Sequence, residues 1–155
     1  MILVHLAKSW PLIEVGERDA ATETLGEWAG ISDTALETYA DGVLGIYKNT
    51  VVTAYDVTGW SRNPADGRIT FEGKPSERWS YLIGTPNPGP SWVQGSARPV
   101  KYLDTEVLTG GAAPVEDVPE GRRAVVRGFI LTVDDHNHAT LVVPQGEQVT
   151  IIAGA

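Results

Sequence analysis

The sequence predicts an α+β fold: a curved, mainly antiparallel sheet or small β-barrel with two or three short helices. Three observations predict it. Helical readings fall mainly in the first 40 residues, with one further short helix over 75–83. Beyond residue 40, Val-, Ile- and Tyr-rich runs alternate with Gly, Pro, Asn and Asp, the punctuation of strands joined by turns. Finally, 17 Gly and 10 Pro in 155 residues supply turn formers at the density such a chain needs.

Residues 1–7 read as a buried strand, because Ile2, Leu3, Val4 and Leu6 are nearly continuous. Trp10-Pro11-Leu12 breaks it, since Pro lacks an N–H and restricts the residue before it. Residues 16–29 read as a helix: Ala21, Leu25 and Trp28 form one apolar stripe, and Glu17 and Asp19 sit where the helix dipole favours negative charge. A second helix is expected over 33–40, N-capped by the Ser32 hydroxyl. Residues 43–47 and 50–58 form a hairpin with Lys48-Asn49 at its tip. A regular register groups Leu44 and Ile46 with Val51, Thr53 and Tyr55, and Val43 and Tyr47 with Val52 and Ala54. Both groups are largely apolar, so both faces are expected to be covered.

Residues 63–67 form a turn and 68–72 a strand ended by Gly73. Residues 75–83 read as a short helix with Trp79 and Leu82 as apolar anchors and Arg78 exposed. The Pro- and Gly-rich run 84–90 is irregular, and 98–103 is extended. Three strands close the chain, over 123–133, 139–143 and 148–152, with turns at 134–138 and 144–146. The chain is read as one domain, 1–155, with a helical part near 16–40 and a barrel core over 43–103. A flexible connector near 109–120 then leads to the C-terminal strands in 122–153. Its strands are expected to be joined by turns and not by crossover helices.

The net charge of -8 argues against a general phosphate-backbone binder. Its distribution is uneven: residues 1–50 hold 3 basic and 8 acidic side chains, 51–100 hold 5 and 4, and 101–155 hold 4 and 8. The middle third is where an anion meets least repulsion. With no Cys there is no thiolate chemistry, which fits a reducing compartment. No apolar run reaches the roughly 20 residues of a membrane helix, and the first residues lack a signal-peptide pattern, so a cytoplasmic protein is expected. No phosphate-binding Gly loop and no nucleophile elbow are found. Nothing in the sequence requires a cofactor.

Three groups of residues can carry chemistry. His136 and His138, two apart on an extended segment, can share a metal with a neighbouring carboxylate. The competing reading of Asp134-Asp135-His136-Asn137-His138 is a turn between two strands, and it is preferred because these are turn-forming residues. His5 lies in an apolar strand and reads as a packed core residue. Asp41, Asp56, Glu72 and Asp104 lie near strand ends and are candidates for acid–base work. The third group is aromatic. Tyr47, Tyr55, Trp60, Trp79, Tyr81 and Trp92 are interleaved with Arg62, Arg68, Lys74, Arg78 and Arg98, a combination that suits a flat ligand with an anionic or base-edge group. The same aromatics also suit a barrel core, and Trp60 and Trp92, beside turn residues, are the best candidates for exposure.

Gly45-Ile46-Tyr47, Val51-Val52, Ala54-Tyr55, Trp60, Gly67-Arg68, Phe71-Glu72-Gly73 and Tyr81-Leu82-Ile83-Gly84 together resemble a small bacterial module found beside restriction- or defence-type domains. That module is similar to the PUA-like β-barrel group, which includes the ASCH, EVE, YTH and SRA-type domains. The resemblance implies a curved sheet with flanking helices and an aromatic pocket for a nucleobase, nucleotide or short nucleic acid. Trp60, Arg62, Arg68 and Trp79 then become the expected contacts, with Trp92 and Arg98 closing over them. Two alternatives stand beside this binding module. One is a small hydrolase using strand-end carboxylates or His136 and His138; the other is a protein-interaction domain or homodimer built on exposed Trp residues.

Overall fold

Ile2, Leu3 and Val4 are fully buried, and the strand they form, β1 (Ile2–His5), lies inside a five-stranded sheet. Its partners are β2 (Gly42–Tyr47), which runs parallel, and β5 (Val100–Tyr102), which runs antiparallel. β3 (Thr50–Arg62) and β4 (Ile69–Pro75) complete the order β4-β3-β2-β1-β5. An apolar run without alternation is what a strand buried on both faces requires. The computed structural model describes residues 1–109, 115–119, 121–126 and 128–149. The chain divides into two compact units, Met1–Thr105 and Glu106–Ala155.

The architecture is α+β with short helices and mainly antiparallel pairing, but the sheet does not close into a barrel. β5 is three residues long, and the free edge of β4 meets a single backbone bridge from Trp28 to Ile69 in place of another strand. Joining by turns alone also fails. Three helices, α1 (Trp10–Glu14), α2 (Ala20–Leu25) and α3 (Asp33–Tyr39), form a crossover between β1 and β2, which is why that pair is parallel.

The helices are shorter than the periodicity predicts. Pro11 sits in the first turn of α1, which needs no N–H from that residue. α2 begins at Asp19, whose carboxylate accepts from Thr22 N at 2.8 Å, and stops at Gly26. Trp28 has left the helix: its backbone pairs with Ile69, while its indole donates to Thr24 O at 2.9 Å. α3 is capped as expected, Ser32 Oγ accepting from Ala35 N at 3.2 Å.

The hairpin tip forms with Lys48 and Asn49 both left-handed (φ 49° and 54°), as a two-residue turn of this kind requires. Its faces differ from the expected grouping. Gly45 pairs with Thr53 but Ile46 pairs with Val51, so Val52 is an extra residue and the register shifts. Val43 and Gly45 therefore share a face with Tyr55 and Thr53, and Leu44 shares the other with Ala54. Both faces are covered. Ile2, Val4 and Val43 pack with Ile31 and Leu36 on the helical side, while Leu3 lies against Gly89 of the irregular loop 84–90. β4 runs past Gly73, whose α-carbon sits so close to Asp56 O that a Cβ would come within 2.6 Å of it. The predicted helix over 75–83 is reduced to one 3-10 turn, Ser80–Leu82, with Trp79 and Leu82 buried as anchors.

In the second unit α4 (Glu106–Thr109) precedes a meander of β6 (Glu116–Val118), β7 (Gly121–Val126), β8 (Phe129–Val133) and β9 (Ala139–Val142). The expected single strand over 123–133 is a hairpin in which Val126 pairs with Phe129. Part of the expected connector is strand β6; residues 110–114 and 120 lie outside the described residues, as do 150–152 of the expected last strand. Residues 148–149 are not in a strand. Val125 and Ile130 are buried on one face of this sheet, whereas Val126, Leu131 and Leu141 are exposed.

Candidate functional site

A chain of buried hydroxyls fixes α2 on the sheet and so shapes what lies beside it. Thr24 Oγ1 donates to Ala20 O at 2.7 Å, which leaves it as the acceptor for Thr53 Oγ1 at 2.9 Å. Thr53 Oγ1 in turn accepts from Gly45 N at 3.1 Å. This contact needs a glycine at 45, where a Cβ would lie 2.2 Å from Thr53 Oγ1 and 2.6 Å from Leu6 Cδ1.

Held this way, α2 and the segment before it form one wall of a cleft of about 500 Å³ at the carboxyl end of β1. His5, Ala7, Lys8 and Ser9 line it from β1 and the turn that follows; Arg18, Glu23 and Trp28 line it from the crossover; Ser96, Ala97 and Pro99 complete it. The carboxyl end of a parallel strand, where the chain leaves for a crossover, is a common place for ligands to bind in α/β sheets. Arg18 Nη1 contacts Glu23 Oε1 at 3.0 Å, while Lys8 is exposed. Among the described residues the lining thus has two cations and one carboxylate, a positive surplus on a chain of net charge -8. His5 is half-buried, and its ring stacks on Trp92 at 5.0 Å and 18°. Burial, and then the Lys101 ammonium, hold its pKa below the ordinary imidazole value.

Most of the six residues expected to bind a ligand are engaged in structural contacts. Trp79 is 2% exposed, with the Arg78 guanidinium 4.2 Å over its ring, and so serves the core. Trp92, expected at the surface, is 7% exposed; its indole donates to Arg98 O at 2.8 Å and its backbone exchanges two bonds with the Asn49 amide. Trp92 and Arg98 are therefore neighbours, and the Arg98 backbone adjoins the cleft through Ala97 and Pro99. Arg62 is spent on structure: it donates to Gly67 O at 2.9 Å and Ile31 O at 3.1 Å and pairs with Asp33 at 2.6 Å. Arg68 pairs with Asp66 at 3.3 Å across the 63–67 turn. Trp60 keeps its exposure, 43%, opposite Phe71 on the β3–β4 ribbon.

The other candidates resolve locally. Asp134 Oδ1 accepts from His136 N and His138 N, both at 2.8 Å, and Oδ2 meets His138 Nδ1 at 3.1 Å. This is the predicted turn; its hydrogen bonds, that from His138 N foremost, lower the Asp134 pKa. Among the described residues no group of three or more His, Cys, Asp or Glu is placed to hold a metal. Asp56 accepts from Ser76 Oγ at 2.7 Å, and Asp41 faces the Met1 ammonium at 3.1 Å. Asp104 also acts on the Met1 ammonium, so Asp41 and Asp104 share a cation there.

Sequence reasoning missed His5, Lys8, Arg18, Glu23 and Trp28 as one set. The signal was a strand, then helices, then a strand, which marks a parallel crossover and directs attention to the end of its first strand. No family model, curated protein or solved structure matches the chain.

Proposed function

We propose that the Met1–Thr105 unit is a binding module for a small ligand that combines a planar ring with an anionic group, of the nucleobase or nucleotide class. The observation that carries this reading is the joint presence of Lys8, Arg18 and Trp28 in one cleft at the carboxyl end of β1. Its volume of about 500 Å³ is within the range of small-molecule sites. Trp28 offers an apolar ring, the two cations offer donors to an anion, and the Ser9 and Ser96 hydroxyls suit a sugar or base edge. The ligand class agrees with what the PUA-like resemblance implies, but the reading rests on other residues.

All five Trp lie within Met1–Thr105, so intrinsic fluorescence reports this unit alone. Fluorescence titration with nucleosides and nucleoside 5′-monophosphates should show saturable binding that favours the monophosphates. Lys8→Ala, at an exposed position, should weaken monophosphates about fivefold, corresponding to roughly 1 kcal/mol, and leave nucleosides and thermal stability unchanged. Because only two cations are engaged, affinity should fall gently with salt. Absence of saturable binding by either panel, or equal loss of both in Lys8→Ala, would refute the proposal.

A further inference from the structure

Among the described residues Glu23 is the only acidic one lining the cleft, and its carboxylate is bonded to Arg18, one of the two cations there. The pair is asymmetric. The Glu23 side chain is 23% exposed and that of Arg18 50%, so the acid is the more buried of the two. The neighbouring acid, Asp19, is already engaged, its Oδ1 accepting from both Thr22 N and Thr22 Oγ1 at 2.8 Å, and does not compete for Arg18 in this arrangement.

Resting on the proposed ligand class, we infer that Glu23 is an internal counter-ion that occupies the anion position on Arg18, and that the ligand's anionic group displaces it. Displacement sets a threshold for charge. A carboxylate ligand merely exchanges one monoanion for another on Arg18. A phosphate monoester, dianionic near neutral pH, gains from Lys8 and Arg18 together and outcompetes the single charge of Glu23. The site therefore selects phosphate monoesters over carboxylates and binds them with restrained affinity.

Glu23→Gln removes the competing charge while keeping the side chain's size. The probes are adenosine 5′-monophosphate, uridine 5′-monophosphate and, as a carboxylate comparison, orotate. Glu23→Gln should tighten the monophosphates about two- to fivefold, the range of an exposed ion pair, and should tighten the monoanion orotate by no more than that. In an Arg18→Ala background the same change should give a smaller gain, because Arg18 is what Glu23 occupies. Glu23→Ala is the second variant, and the thermal midpoint of each variant, read by Trp fluorescence, shows whether it is folded. Monophosphate affinity unchanged or weakened in both folded Glu23 variants, with Lys8→Ala still selectively weakening monophosphates, overturns the inference and leaves the ligand reading standing. If neither monophosphate binds the wild-type protein or the Glu23 variants, both fall together.

Discussion

Thr53→Val tests how α2 is fastened to the sheet. The substitution keeps the β-branched shape and deletes one hydroxyl that accepts from Gly45 N and donates to Thr24 Oγ1. At about 1 kcal/mol net per buried hydrogen bond, the loss is about 2 kcal/mol. Thr24→Val removes the bond to Ala20 O and the same shared bond to Thr53, again about 2 kcal/mol. The double variant removes three bonds, not four, so it should cost about 3 kcal/mol, a coupling of about 1 kcal/mol between the two positions. Equilibrium urea unfolding followed by Trp fluorescence measures this: each single variant should move the midpoint by roughly 1 M at an m-value near 2 kcal/mol/M, with m unchanged. Strict additivity of the two substitutions would show that the hydroxyls do not act as a chain. A loss under about 0.5 kcal/mol in Thr53→Val would show that the bonds are replaced by water.

Two further outcomes are expected. Gly45→Ala puts a methyl group 2.2 Å from Thr53 Oγ1 and 2.6 Å from Leu6 Cδ1; since the strand cannot yield without moving α2, it should cost about 1–3 kcal/mol in the same urea assay. His5 favours its neutral form in the folded protein, so acid should destabilise: stability is level above about pH 6.5, falls as pH drops through the interval down to the lowered folded value, and then levels again. His5→Gln should flatten that part of the profile, and an unchanged slope would mean that another group is responsible.

Local chemistry made much of this fold legible. Ser32 caps α3, Lys48-Asn49 turns the hairpin, and Asp134 organises the turn to His138, each through bonds between residues close in sequence. What the sequence concealed depends on distant partners. Trp28 fits a helical stripe, but its backbone is claimed by Ile69, 41 residues away, so the helix ends early. Val52 carries no mark of a bulge; the register shift follows from the packing of Gly45 under Thr53. The site was hidden for a related reason. Trp79 and Trp92 have the composition of a stacking surface but fill interior positions, while Lys8, Arg18 and Glu23 look like ordinary solvated charges until the crossover brings them beside His5.

β1 is the first strand of the Met1–Thr105 unit and is flanked by two others in its sheet. Its parallel partner begins at Gly42, but its antiparallel partner, β5, begins only at Val100. The residues that complete the cleft, Ser96, Ala97 and Pro99, lie immediately before that late strand. During synthesis β1 must therefore wait for almost the whole unit to leave the ribosome before both its edges are paired, a long-range closure that slows folding. The cleft is assembled by that closing step, so an occupied cleft would mark a unit whose sheet is complete.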